Sequence, residues 1–126
     1  MTTVLVIEDN REYREILVEI LQLEHYLTVT AANGLIGLQK LQEHLPNLIV
    51  CDVDMPVMNG LEVLRIVKAD PVLSMIPFLI LTAHTDRQML QEIHDLGVDA
   101  LLAKPIAVEE FLEVVANVLN QNATTI

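Results

Sequence analysis

Polar side chains that could share one piece of chemistry follow four apolar segments of this chain. The acidic pair Glu8 and Asp9 comes directly after one such segment, and Asp52 comes after another. Thr82 follows a third segment and Lys104 a fourth. Carboxylates that lie together repel one another and resist losing water unless a cation is present. The residue types therefore indicate a site for a hard cation and an oxyanion.

The same residue types suit phosphoryl transfer. Mg²⁺ prefers oxygen ligands, keeps several waters and bridges to phosphate, so the carboxylates of such a site could hold it. Asp52 would then act as the nucleophile on phosphorus and form an acyl phosphate. Phosphoryl transfer needs mainly positioning and neutralisation of charge, which Mg²⁺ and Lys104 would supply. The Thr82 hydroxyl could donate a hydrogen bond to a phosphoryl oxygen.

Each of these residues has a simpler explanation when it is considered alone. Glu8, Asp9 or Asn10 could cap the helix that follows them. A single threonine at a strand end, or a single lysine in a loop, is common and usually has no function. The coincidence of all four features at the ends of apolar segments favours the functional interpretation.

Strand-like and helix-like patterns alternate along the chain, which explains how these residues could meet. Short apolar runs predict strands at residues 4–7, 27–31, 48–51, 78–81 and 98–102. Each run is followed by apolar residues at helical spacing. The alternation indicates a parallel sheet covered by helices on both faces. In that architecture the carboxyl ends of the strands share one edge, where ligands bind.

Local signals place Asp52 and the helix ends. Pro56 and the pair Asn59-Gly60 predict a stiff turn that separates Asp52 from the third helix. Gly97 is expected to cap the carboxyl end of the fourth helix. The inward face of the second helix is expected to carry three leucines: Leu35, Leu38 and Leu41.

Composition limits the classes of function. The chain has 126 residues, of which 52% are apolar, so it fits one domain with a substantial core. A net charge of −11 argues against nucleic-acid binding by these residues. No apolar run approaches the roughly 20 residues of a membrane span, and the start lacks a signal peptide. The single cysteine, Cys51, permits no internal disulfide, so a cytoplasmic location is expected.

The chain resembles the receiver domain of two-component response regulators over roughly residues 3–120. The matching motifs are four segments of the sequence: 4–10, 52–60, 81–83 and Lys104-Pro105. The resemblance implies an α/β fold, a doubly wound five-stranded parallel sheet with the flavodoxin-like order 2-1-3-4-5. It also implies a single receiver domain over residues 1–126, in which 120–126 form a polar tail or linker stub.

The resemblance implies a role for each motif residue. Asp52 is similar to the phospho-acceptor, and Glu8 and Asp9 to the acidic pair that holds Mg²⁺. Asp54 resembles the residue that offers the metal its backbone carbonyl.

Two further motif residues complete the resemblance. Thr82 is similar to the switch hydroxyl of the family. Lys104 is similar to the phosphate-contacting lysine, and the peptide bond between it and Pro105 is expected to be cis.

The resemblance also implies partners. The phosphodonor would be a sensor histidine kinase or a histidine phosphotransfer protein. The face made by the fourth helix, fifth strand and fifth helix would contact an output domain or a second copy of the chain. The domain would phosphorylate and dephosphorylate itself rather than act as a turnover enzyme, and it would bind neither nucleic acid nor membrane.

Four further positions are of functional interest. Leu101 stands where the family usually has tyrosine or phenylalanine, so we expect a weaker or differently propagated switch. Ile106 stands where phenylalanine is common and is interpreted as a conservative change. Asp54 and His84 occupy the positions that flank the attacking water in this family, and the acidic side chain of Asp54 is expected to alter the lifetime of the phosphoryl group.

Two other functions stay open at this stage. Asp52, Thr82 and Lys104 also resemble, in order, motifs of haloacid-dehalogenase-type phosphatases. Those enzymes, however, place their acidic metal pair after the lysine, whereas Glu8 and Asp9 come first here. The other alternative is a phosphorylation-independent interaction domain on the same fold.

Overall fold

Five parallel strands alternate with five helices in the computed structural model, which describes residues 1–83 and 86–123. The strands are β1 Thr3–Ile7, β2 Leu27–Ala31, β3 Leu48–Asp52, β4 Phe78–Thr82 and β5 Ala100–Ala103. The helices are α1 Arg11–Leu23, α2 Gly34–Glu43, α3 Gly60–Ala69, α4 Arg87–Asp95 and α5 Val108–Ala123. A short 3₁₀ helix, Leu73–Met75, precedes β4.

The strand order is β2-β1-β3-β4-β5, which confirms the predicted doubly wound sheet. Asp52 pairs with Leu81 and Thr82 with Ala103, so the polar residues lie in register at the carboxyl edge. The ladder continues past the strands, because Lys104 N–H donates to the Thr82 carbonyl at 2.8 Å. The strand order reverses between β1 and β3, and in open α/β sheets ligands bind at the carboxyl edge beside such a reversal.

Hydrophobic clusters cover both faces of the sheet. One cluster joins the sheet to residues of α2, α3 and α4, such as Leu41, Val63 and Ile93. The other joins it to residues of α1 and α5, such as Leu17 and Phe111. Every residue of β3 and β4 is buried, as expected for central parallel strands covered on both faces.

The inward face of α2 differs in part from the prediction. Leu41 is buried and Leu38 packs against the core, but Leu35 is 46% exposed. The reason is the close approach of Gly37 to β1, where an added Cβ would lie 2.5 Å from Cδ1 of Ile7. The helix therefore turns its glycine face toward the sheet, and this rotation leaves Leu35 outside.

The last strand begins two residues later than predicted. Gly97 ends α4 with a φ of 82°, as predicted for a helix cap. Asp99 then binds Phe78 twice, since its side chain accepts from the Phe78 N–H at 2.7 Å and its own N–H donates to the Phe78 carbonyl at 3.0 Å. Val98 packs against the core from outside the strand.

The last helix, α5, continues through Ala123, into the segment 120–126 predicted as a tail.

Candidate phosphoryl-transfer site

The turn between β1 and α1 presents the acidic pair. Asn10 caps α1, because its side chain accepts from the Tyr13 N–H at 2.9 Å, so the cap does not occupy Glu8 or Asp9. Glu8 is buried, whereas Asp9 is exposed. The Asn10 N–H donates to Oε2 of Glu8 at 3.1 Å, and the Arg14 guanidinium donates to the Glu8 carbonyl at 2.7 Å. These bonds fix Glu8 at the end of β1.

The loop after β3 folds closely against the end of that strand. Asp52 is only 4% exposed, and Gly60 N–H donates to the Val53 carbonyl at 2.9 Å. A Cβ at Gly60 would collide with the Asp52 carbonyl, so the close approach requires glycine. Asn59 and Glu62 form a capping box that begins α3. The predicted turn is confirmed, and it packs Gly60 against the backbone of Asp52.

Val57 occupies a strained position in the same loop. Its φ is 72°, and Met58 N–H donates to the Pro56 carbonyl at 2.8 Å across it, which makes a γ-turn. A β-branched residue is a true outlier in the left-handed region. The side chain is 75% exposed, so packing of Val57 itself does not explain the conformation.

Lys104 connects the other polar residues. Its ammonium donates to Oε1 of Glu8 at 2.9 Å and lies 3.2 Å from Oδ1 of Asp52. The peptide bond between Lys104 and Pro105 is cis, as predicted. Thr82, at the end of the neighbouring strand, is buried.

The charges of the site influence one another. Burial, with a smaller contribution from the charge of Asp52, raises the pKa of Glu8 from 4.5 to about 7, against the opposing effect of the hydrogen bond from Lys104. Burial by itself would lower the pKa of Lys104. The hydrogen bond to Glu8 and the charge of Asp52 outweigh burial, so the pKa of Lys104 is raised.

The carboxylates can hold a metal ion. One oxygen each of Glu8, Asp9 and Asp52 lie within 4.8 Å of one another. Oδ1 of Asp52 is buried and accepts no hydrogen bond of normal geometry from the part of the chain that the structure describes. A divalent cation fits such a set, since it would coordinate the carboxylate oxygens and offset the repulsion between them.

The structure brings together four of the residues that the sequence singled out: Glu8, Asp9, Asp52 and Lys104. Thr82 adjoins them at the end of β4. Asp54 is exposed two residues beyond the end of β3. His84 lies outside the described residues.

Tyr13 also belongs to this region, although the sequence did not indicate it. The Lys104 ammonium lies 4.3 Å from the centroid of the Tyr13 ring, which is a cation–π distance. In the sequence Tyr13 only continues the apolar spacing of α1. Its spacing gave no signal of a contact with a residue 91 positions later.

Residues 4–116 match the family described as the response regulator receiver domain. The chain belongs to this family. The receiver domain is 32% identical over 117 residues to the polar-differentiation response regulator DivK of Brucella anthropi, a match that covers 93% of this chain and 95% of that relative. Family membership argues against the phosphatase alternative and makes this chain a component of two-component signal transduction.

Solved structures agree with this assignment. The signal receiver domain of a signal transduction histidine kinase from Syntrophus aciditrophicus superposes with a TM-score of 0.93 at 29% identity, covering 100% of this chain and 96% of that one. The chemotaxis protein CheY4 of Vibrio cholerae superposes with a TM-score of 0.87 at 33% identity, covering 94% and 98% respectively. Among the described residues of the receiver domain, no helix is both long and apolar enough to cross a membrane.

Proposed function

We propose that Asp52 is the phospho-acceptor of this receiver domain and that Glu8 and Asp9 hold the required Mg²⁺. The observation that carries the proposal is the environment of Oδ1 of Asp52. This buried oxygen accepts no hydrogen bond of normal geometry from the described residues, yet it lies 3.2 Å from the Lys104 ammonium and beside two further carboxylates. Such an oxygen suits nucleophilic attack better than a structural role.

The transfer step is an in-line displacement on phosphorus. A carboxylate oxygen of Asp52 forms a bond to the phosphorus of a phosphohistidine, and the bond from phosphorus to the imidazole nitrogen breaks. The imidazole leaves with the electron pair and takes up a proton. Lys104 stays beside the transferred oxygens, where its charge stabilises the phosphoryl group.

The same cluster gives three of the metal ligands. Asp9, Glu8 and Asp52 would supply carboxylate oxygens, and the resemblance to the family adds the backbone carbonyl of Asp54. When bound, Mg²⁺ would neutralise charge on the oxygens of the transferring phosphoryl group. Because Glu8 has a pKa of about 7 without metal, Mg²⁺ binding is expected to weaken as the pH falls below that value.

The phosphoryl group on Asp52 then acts as a switch. Its charge draws the Thr82 hydroxyl toward it, which shifts a pre-existing equilibrium of the nearby loops and of α4. The face made by α4, β5 and α5 presents this change to an output domain or a second copy of the chain. The donor is a histidine kinase or a histidine phosphotransfer protein in the cytoplasm, and the domain is not a turnover enzyme.

Intact-mass spectrometry after incubation with acetyl phosphate tests this proposal. We expect a gain of one phosphoryl group that requires Mg²⁺ and is absent from Asp52→Asn. Asp95→Asn is the matched control, because it removes an exposed carboxylate at the end of α4. That variant should gain the group as the wild type does.

Other outcomes would contradict the proposal. Full uptake by Asp52→Asn would place the acceptor elsewhere. The absence of uptake by the folded wild-type protein would favour the phosphorylation-independent interaction domain.

A further inference from the structure

Tyr13 joins α1 to the loop that carries Lys104. Its ring lies under the Lys104 ammonium at 4.3 Å, and Tyr13 and Ile106 both pack against the hydrophobic cluster shared by α1 and α5. The side chain is half-buried, which reduces the competition of water for the ammonium. The contact therefore fixes the end of a long and flexible side chain.

The contacts of Lys104 differ in what happens to them during phosphorylation. Glu8 and Asp52 attract the ammonium through carboxylates, but the proposed function needs the same carboxylates as metal ligands and as nucleophile. Lys104 then shares or loses those two partners. The aromatic ring of Tyr13 has no such competing use, since Mg²⁺ prefers oxygen ligands.

We infer that Tyr13 is a positioning residue for Lys104, holding the ammonium beside Asp52 while the carboxylates are engaged elsewhere. The inference rests on the proposed function of Asp52 and Lys104 and adds a residue to it. Tyr13 touches neither the phosphoryl group nor the acceptor in this account. It acts through Lys104 alone.

The ring carries this role, and the hydroxyl does not. The Tyr13 hydroxyl is buried beside the backbone of Ile106, and it makes no hydrogen bond of normal geometry within residues 1–83 and 86–123. Burial raises the pKa of Tyr13, so the group stays neutral at physiological pH. Phenylalanine preserves the ring face and removes only this hydroxyl, whereas leucine removes the ring and keeps an apolar side chain. The pair Tyr13→Phe and Tyr13→Leu therefore separates aromatic from merely apolar packing.

The first test reads the contact without phosphorylation. The chain has three lysines, so the side-chain ε-methylene signals of Lys104 can be resolved from those of Lys40 and Lys68 by NMR. Ring current should shift the Lys104 signals upfield in the wild type and in Tyr13→Phe, with and without Mg²⁺. The shift should disappear in Tyr13→Leu, while Lys40 and Lys68 stay unchanged. Lys104 signals that are equal in all three proteins would overturn the inference.

The second test is a double-mutant cycle on the rate of phosphorylation by acetyl phosphate. Tyr13→Leu should slow the rate by about three- to tenfold, the range expected for a partly desolvated cation–π contact. Tyr13→Phe should recover the wild-type rate. In a Lys104→Met background Tyr13→Leu should have no further effect, because the positioned group is gone.

The outcomes separate the inference from the proposed function. Tyr13→Leu could slow phosphorylation equally in the wild-type and Lys104→Met backgrounds, or in neither of them. Either result would show that Tyr13 does not act through Lys104. If the wild type takes up no phosphoryl group, the proposed function fails, and the NMR comparison still decides whether the ring holds the ammonium. If Tyr13→Leu does not fold, Tyr13→Met provides the variant without a ring.

Discussion

The protonation of Glu8 links the site to the stability of the protein. The pKa of Glu8 is about 7 in the folded chain and 4.5 ordinarily, so the folded state binds more protons between these values. The contribution of Glu8 to stability is therefore complete below pH 4.5 and is lost as the pH rises through about 7. Mg²⁺ should restore stability at the upper end of this range, where the carboxylate is charged.

Urea unfolding of the metal-free protein across this pH range measures the effect. We expect the free energy of unfolding to fall more with rising pH in the wild type than in Glu8→Gln. Glu15→Gln, which removes an exposed glutamate of α1, is the control and should follow the wild type. Identical pH profiles for the wild type and Glu8→Gln would contradict the raised pKa.

The backbone at Val57 gives a second prediction. Glycine tolerates a φ of 72° without the steric cost that valine has there, and little packing is lost because Val57 is exposed. Val57→Gly should therefore raise the free energy of unfolding by about 1 kcal/mol.

An exposed valine with an ordinary backbone is the matched control for Val57→Gly. Val72 is also exposed but has a φ of −84°, so glycine there only adds freedom to the unfolded chain. Val72→Gly should lower the free energy of unfolding by roughly 0.5–1 kcal/mol. A loss of stability in both variants, measured by urea unfolding, would contradict strain at Val57.

Sequence reasoning found the site residues whose chemistry and position coincide. Glu8, Asp52 and Lys104 have charged side chains at predicted strand ends, so elementary rules bring them to one edge. Tyr13 was not predicted as a site residue because its type and spacing are those of an ordinary core residue. Its contact with Lys104 depends on how α1 packs beside the loop after β5, and helical spacing does not encode that distance.

At the level of elements, β5 carries Leu101 at the position where the resemblance to the family leads us to expect an aromatic residue. Leu101 lies beside Ile80 in the sheet and is 39% exposed. Turning inward would bury less apolar surface for this aliphatic side chain than for a large aromatic ring, so the gain in free energy is smaller. Phosphorylation should therefore perturb β5 little. We expect near-identical β5 amide shifts with and without beryllofluoride, a phosphoryl mimic, provided that the shifts of residues around Asp52 do change.

A variant tests whether Leu101 is the cause. Leu101→Tyr restores the aromatic side chain and should enlarge the amide shift changes in β5 when the mimic binds. Large changes in β5 of the wild-type protein would contradict the weaker switch.

The boundaries of elements were predictable where a cap or a turn residue fixes them. Asn59-Gly60 begins α3 and Gly97 ends α4, as their types indicate. The start of β5 was missed because Val98 looks like a strand residue, whereas Asp99 uses its side chain to bind Phe78. The exposure of Leu35 was missed because only packing reveals that α2 needs its glycine face against β1.

The whole molecule depends on one sheet with a hydrophobic cluster on each face. The two phenylalanines are both fully buried, Phe78 in one cluster and Phe111 in the other. Because the same strands serve both clusters, we expect a single cooperative unfolding transition. Phe78→Ala and Phe111→Ala should each lower the free energy of unfolding by about 3–5 kcal/mol.

Two probes can check this cooperativity. Tyr13 and Tyr26 both pack against the cluster that contains Phe111, so tyrosine fluorescence follows that face. Far-ultraviolet circular dichroism follows the helices of both faces. The two transitions should coincide in the wild type and in each variant. Separate transitions would mean that the faces unfold independently.

Chemical trapping of the phosphoryl group can show directly whether the buried carboxylate of Asp52 accepts it. Borohydride reduces an acyl phosphate to a primary alcohol, so an acceptor aspartate becomes homoserine, which peptide mass spectrometry can locate. After treatment with acetyl phosphate and Mg²⁺, we expect homoserine at position 52 and at no other acidic residue. Homoserine at Asp9 or Asp54 with Asp52 intact would contradict it.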